Sequence, residues 1–178
     1  MQRVRILDRE FDLFIKNSEI QKAVKEVAEK IDKDLAGKEV MFIGILNGSF
    51  MFASDLFKQI NIDCQITFLK VASYTGTTSS GNVKRLIGVN EDLKNKVVVI
   101  LEDIVDTGNT LESIIRQLIG YEPAEIKIAT FLFKPDAYER TIPLDYVGLE
   151  IPNDFIVGYG LDYDGFGRNY EDIYKVVD

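Results

Sequence analysis

Apolar residues recur along this chain with two different periods, and the switches between them mark out its elements. From Ser18 to Ala36 the positions Ile20, Val24, Val27, Ile31 and Leu35 form one stripe at helical spacing. Ser18 with Gln21 predicts a capping box at the start of that helix, and Gly37 a stop at its end. Val40 to Leu46 is then an unbroken apolar run, the pattern of a short strand covered on both faces. The turn Asn47-Gly48-Ser49 follows, and after it a second helix over Phe50 to Ile60. Cys64 to Val71 and Lys84 to Val89 read as strands. Between them Ser73 to Asn82 has almost nothing to bury and reads as a mobile loop. Val97 to Leu101 is a β-branched run, Asn109 to Ile119 an amphipathic helix stopped by Gly120, and Ile126 to Phe133 a further strand. From Asp145 to Asp178 short strands alternate with Gly-rich turns.

Strands and helices that alternate at these lengths predict an α/β fold, a mainly parallel sheet with helices on both faces. A chain of 178 residues, 46% hydrophobic, buries a full core, so one domain over 1–178 with a small appended lobe is expected. The net charge of −8 argues against a nucleic-acid surface. No apolar run approaches the roughly 20 residues of a membrane span, and MQRVRILDREFDL lacks the apolar stretch of a signal peptide. A soluble cytoplasmic protein that binds neither membrane nor nucleic acid is the expectation. Cys64 is the sole cysteine, which rules out an intrachain disulfide and suggests a structural thiol. The absence of histidine removes the usual general base and the Ser-His and Cys-His nucleophile pairs. Acid–base chemistry must then fall to carboxylates, lysine or tyrosine.

The most informative segment is VVVILEDIVDTGNTL, residues 97 to 111. A buried strand runs into two adjacent acids, a third acid three positions on, and Thr-Gly-Asn-Thr at a helix start. In open α/β sheets ligands bind outside the carboxyl ends of the strands, and the N–H groups of a Gly-containing turn at a helix N-terminus suit a phosphate. Asp106, Thr107, Gly108, Asn109 and Thr110 form the expected cradle, with Glu102 and Asp103 facing something polyhydroxylated or a metal. An ordinary strand-to-helix connection needs one polar cap and would leave three acids and two threonines without a role. Acids beside a phosphate seat suggest a sugar phosphate.

This combination resembles the phosphoribosyl pyrophosphate (PRPP) motif of the type I phosphoribosyltransferases. Four other segments resemble the hypoxanthine-guanine branch of that family. In GILNGSFMFASDL the resemblance places Leu46, Asn47 and Gly48 against pyrophosphate, often with a cis peptide between the first two. Many relatives carry a basic residue where this chain has Asn47, which leaves main-chain contacts and metal to do more here. VASYTGTTSSGNVK is similar to the flexible catalytic loop, with its Ser-Tyr pair at Ser73 and Tyr74. In ATFLFKPDAYER the matching lysine, Lys134, contacts the exocyclic oxygen of the purine, a role suited to a group with three donors and no acceptor. In EIPNDFIVGYGLDYDGFGRN, Phe155 would stack on the base, the backbone at Ile156 and Asp162 would read its edge, and Arg168 would bind pyrophosphate.

The resemblance implies the type I phosphoribosyltransferase fold, with a hood built from the N-terminal segment and roughly 145–178. It also implies purine salvage: a 6-oxopurine, hypoxanthine or guanine, plus PRPP gives the nucleoside monophosphate, IMP or GMP, and pyrophosphate. Mg²⁺ would be held by Glu102, Asp103 and Asp162, with Asp106 and Lys134 as the catalytic groups. A homo-oligomer, dimer or tetramer, is expected. Two other readings are a nucleotide-sensing regulator on the same fold, disfavoured by the acidic charge and the presence of base pocket and lid, and a transferase for xanthine or a pyrimidine.

Overall fold

The computed structural model describes residues 2–72, 84–87 and 90–177. The Ser73-Tyr74 pair and the rest of the expected loop lie outside these residues. Two sheets organise the chain. The larger has six strands in the order β5-β4-β3-β6-β7-β8. Its members are β3 (Val40–Leu46), β4 (Cys64–Ala72), β5 (Lys84–Ile87), β6 (Val97–Val105), β7 (Glu125–Phe133) and β8 (Tyr146–Glu150). All pair in parallel except β5, which lies antiparallel on β4. The smaller sheet, the hood, is antiparallel and joins the two ends of the chain in the order β1-β2-β10-β9. Its strands are β1 (Arg3–Ile6), β2 (Arg9–Ile15), β9 (Ile156–Val157) and β10 (Ile173–Val176).

Side-chain alternation on the central strands sorts the core into two layers. Val40, Phe42, Val97, Val99 and Leu101 face helices α1 (Asn17–Asp34) and α2 (Phe50–Phe57). Met41, Ile43, Val98 and Ile100 face Leu111, Ile114 and Leu118 of α3 (Asn109–Ile119). Both faces of β3 and β6 are thus covered, which is why their sequences are unbroken apolar runs. Beyond Asp103 the alternation breaks: Ile104 packs with the first layer and Val105 with the second.

Four expectations are corrected. The capping box does not form: α1 begins one residue earlier, and Ser18 makes no cap bond. The N–H of Asn17 instead donates to Asp172 Oδ1 at 2.7 Å, and Gln21 reaches Asp55 on α2. The second helix ends at Phe57 rather than Ile60. β6 continues past Leu101 to Val105, because its pairing with β7 carries the polar residues along. β8 belongs to the large sheet, so the tail's contribution to the hood starts after Glu150. Among the described residues no helix is long and apolar enough to cross a membrane. Cys64 is half-buried at the start of β4, and burial, with Asp32 and Asp63 adding, raises its thiol above the ordinary value. That keeps it a poor nucleophile.

Candidate active site

β3 and β6 are neighbours whose onward connections run in opposite directions, to β4 on one side and β7 on the other. Such a switch point opens a crevice at the strands' carboxyl ends. Here the β3–β6 pairing runs from Val40↔Val97 to Gly44↔Leu101, one residue short of Glu102. The crevice therefore opens at the two acids. One wall is the Asn47-Gly48-Ser49 turn, the other the loop from Asp106 to Thr110.

That second loop makes a pocket lined by Glu102 and residues 104 to 111. Gly108 caps α3 with φ of 84°, a left-handed conformation that favours glycine. A Cβ there would also lie 2.7 Å from the Tyr138 ring and 2.8 Å from Arg140 Cγ. The first N–H groups of a helix lack intrahelical acceptors, and a phosphate can accept from them. Arg140 braces the loop from behind: its guanidinium contacts the Asn109 carboxamide oxygen and lies 2.9 Å from Glu112. Nothing local in the sequence marks Arg140 for this position.

Glu102 and Asp103 point to different sides of their strand. Glu102 is 6% exposed and lines the pocket of the 106–110 loop. Burial, reinforced by Asp103, holds its carboxyl well above the usual range. Asp103 lies against Gly48, where its carboxylate occupies the space a Cβ would need. Burial pushes it up to about 6, with Asp162 adding to the rise and the Ile104 N–H and Arg168 opposing it. The three acids expected to share a metal do not converge as one cluster. Among the described residues no group of three or more His, Cys, Asp or Glu side chains is placed to hold an ion.

Beside that loop, Lys134 directly follows β7, its N–H bonded to Val105 O, and is 8% exposed. Its ammonium lies 3.4 Å from Asp106 Oδ2 and 3.3 Å from Asn153 Oδ1. Asp106 keeps nearly half of its side chain exposed. Asn153 is a site residue that the sequence did not flag, since one asparagine in a loop carries no pattern. Two residues on, Phe155 is 44% exposed, with Tyr163 set edge-on at 5.9 Å. Ile156 pairs with Lys175, one step along from the Val176 N–H bond to Phe155 O. Antiparallel pairs alternate between bonded and non-bonded, so the main-chain N–H and C=O of Ile156 point off the sheet's edge.

The peptide between Leu46 and Asn47 is cis. On the hood side of this turn, Arg168 donates from Nη1 to Gly160 O and pairs through Nη2 with Asp162 Oδ1, both at 2.6 Å. The other Asp162 oxygen accepts from Gly165 N. The crevice thus joins a pocket at the glycine-capped N-terminus of α3, buried acids, a paired lysine, an exposed aromatic and an arginine. That arrangement suits a phosphorylated sugar carrying a second anionic group, and a flat base.

Known proteins agree with this geometry. Residues 14–164 match the family model of the phosphoribosyl transferase domain. The chain is 40% identical to the hypoxanthine phosphoribosyltransferase of Haemophilus influenzae over 93% of its own length and 95% of the relative's. It is 41% identical to the hypoxanthine-guanine phosphoribosyltransferase of Staphylococcus aureus over 89% of each chain. The fold superposes on a crystal structure of a hypoxanthine-guanine phosphoribosyltransferase from Bacillus anthracis with a TM-score of 0.88 and 38% identity, covering 93% of this chain and 98% of that one. With agreement of this extent in both sequence and fold, the chain belongs to the type I phosphoribosyltransferase family, in its hypoxanthine-guanine branch.

Proposed function

We propose that this protein transfers the 5-phosphoribosyl group of PRPP to N9 of hypoxanthine or guanine, giving IMP or GMP and pyrophosphate in purine salvage. The observation that carries the reading is the pocket of the 106–110 loop opening beside buried acids, with Lys134 paired to Asp106 of that loop. Residues 106 to 110 hold the 5′-phosphate, and this remote anchor orients the anomeric carbon. Glu102 and Asp103 face the ribose hydroxyls. Lys134 donates to the 6-oxo group, oriented by Asn153 and Asp106, while Phe155 covers the ring. Asp106 is the proton partner at the purine N7.

The donor set fits Mg²⁺, which is commonly held by one or two carboxylates together with substrate phosphates. Asp103, buried and raised by Asp162, is an acid whose ionised form gains from a cation. Asp103 and Asp162 are the residues we assign to it. When bound, Mg²⁺ offsets charge on the diphosphate. Asn47 brings no charge, so Gly48 and the main chain of that turn, with Arg168, bind the leaving group. By family resemblance the chain acts in the cytoplasm as a homodimer or homotetramer, which sedimentation velocity would measure.

The direct test supplies PRPP and Mg²⁺ with hypoxanthine, guanine, xanthine or adenine in turn and follows nucleotide formation, with a chelator control. Hypoxanthine and guanine should react, adenine should not, and the chelator should stop the reaction. Product from adenine at a similar rate, or none from either 6-oxopurine, would overturn the assignment.

A further inference from the structure

Between the hood and the Gly48 turn runs a chain of contacts made by residues of two quoted segments, Tyr159 and Asp55, to which the sequence assigned no role. The Tyr159 side chain leaves the hood and enters the core, its ring 5.0 Å from that of Phe131. Its hydroxyl donates to Asp55 Oδ2 at 2.9 Å. Asp55 sits on α2, whose N-terminus follows the Asn47-Gly48-Ser49 turn directly. The same carboxylate accepts from Gln21 of α1 at 2.7 Å and pairs with Lys58 at 2.7 Å, so it is a fixed anchor.

The backbone at Tyr159 is left-handed, with φ of 48°, a conformation that bulky residues rarely adopt. It aims the ring inward and delivers the next residue, Gly160, onto the carbonyl of Gly48, so closely that a Cβ there would collide with it. Gly160 also exchanges two hydrogen bonds with Arg168, the side chain donating to its carbonyl at 2.6 Å and its own N–H donating to Arg168 O at 3.0 Å. Arg168 in turn pairs with Asp162. A phenylalanine would fill the core at position 159 without a hydroxyl to satisfy. A buried hydroxyl bound to a fixed carboxylate, on an uncommon backbone, suggests geometry held for a purpose.

We propose that Tyr159 and Asp55 are a positioning pair: they tie the hood turn 158–161 to helix α2, and so set the distance between Arg168 and the Gly48 turn where pyrophosphate binds. Neither residue touches the substrate. The inference rests on the pyrophosphate role given above to Gly48 and Arg168.

The test measures binding of pyrophosphate and, separately, of IMP to the full chain with Mg²⁺, using wild type and Tyr159→Phe, together with kcat and KM for PRPP. Losing an orienting partner behind a ligand typically costs about 10- to 100-fold. Pyrophosphate affinity should fall and KM for PRPP rise by about tenfold, at the lower end of that range, with IMP affinity and kcat within about twofold. Asp55→Asn keeps an acceptor for the hydroxyl and should stay near wild type, whereas Asp55→Ala should repeat the loss. A purely structural role predicts a lower melting temperature with pyrophosphate and IMP affinities unchanged or shifted together, and that result overturns the pair. Should Tyr159→Phe not fold, the two Asp55 variants decide on the same readout. If wild type binds neither ligand, the reading of the site fails and the pair with it; if it binds both and selectivity is unmoved in the variants, the pair alone fails.

Discussion

Gly48→Ala is the sharpest test of how the crevice is built. The added Cβ would sit 2.5 Å from Asp103 Cγ and closer still to one carboxylate oxygen. Carbon atoms rest at about 3.5–4.0 Å, so the Cγ contact alone requires the carboxylate or the turn to retreat by at least about 1 Å, and the oxygen contact by more. Asp103 is hemmed in by the Ile104 N–H, which donates to it at 2.9 Å, and cannot yield freely. A displacement of about 1 Å in a substrate-positioning group can cost about 10²-fold in rate, or roughly 2.7 kcal/mol of transition-state stabilisation. We therefore expect kcat/KM for PRPP to fall about 10²-fold while the melting temperature shifts little, since the turn lies at the crevice rather than in the core. Steady-state kinetics with hypoxanthine, paired with a thermal melt, measure both. A variant with kcat/KM within about threefold of wild type would refute the claim that the close approach of Asp103 to the turn matters for the reaction, a change of under about 0.7 kcal/mol.

Three further perturbations probe other parts of the crevice. Asp106→Asn should lower turnover by about 10²- to 10⁴-fold with PRPP affinity largely kept, and unchanged single-turnover chemistry would remove Asp106 as proton partner. Lys134→Gln should reduce hypoxanthine activity and narrow the gap to adenine, because an amide offers either a donor or an acceptor at position 6; an unchanged kcat/KM ratio between the two bases would show that Lys134 does not read that position. Asp103→Asn should abolish most activity yet stabilise the ligand-free protein. A carboxyl raised from 3.8 to about 6 holds its proton more tightly folded than unfolded, so its cost to stability is absent below the unfolded value, grows as pH rises between the two, and is complete above about 6. At about 1.36 kcal/mol per unit the gain from the asparagine is up to about 3 kcal/mol at pH 7.5 and near zero at pH 3.5, and urea midpoints at the two pH values would show whether it follows that pattern.

Elements set by local pattern were readable from the sequence with their boundaries. β3 is an apolar run buried on both faces, and α3 is an amphipathic stretch between Gly108 and Gly120; both match residue for residue. The capping box failed because α1 starts one residue earlier, where the N–H of Asn17 found a partner in Asp172, which no local rule anticipates. β6 outran its apolar run because a neighbouring strand supplied hydrogen bonds to residues whose own character is polar. In the crevice, the pocket of the 106–110 loop was legible because one contiguous segment builds it. Asn153, Arg140 and the Tyr159–Asp55 contact were not, since each acquires a role only from a neighbour far along the chain.

The joining of both chain ends in the hood has a consequence for the order in which the molecule is made. Strands β3 to β8 fall within residues 40 to 150, so the large sheet can assemble during synthesis from segments already present. β2 is made early and pairs on one side with β1, but its other edge waits for β10, and the start of α1 waits for Asp172, 155 residues away from Asn17. Through that interval the nascent chain carries an open strand edge, the kind of surface that recruits unwanted pairing, and the charged side chains of Arg3, Arg5, Arg9 and Glu10 along β1 and β2 make such pairing costly. Asp162 and Arg168 lie in the same stretch. The residues we propose for pyrophosphate and metal thus follow the strands of the large sheet and arrive together with the contacts that close the hood.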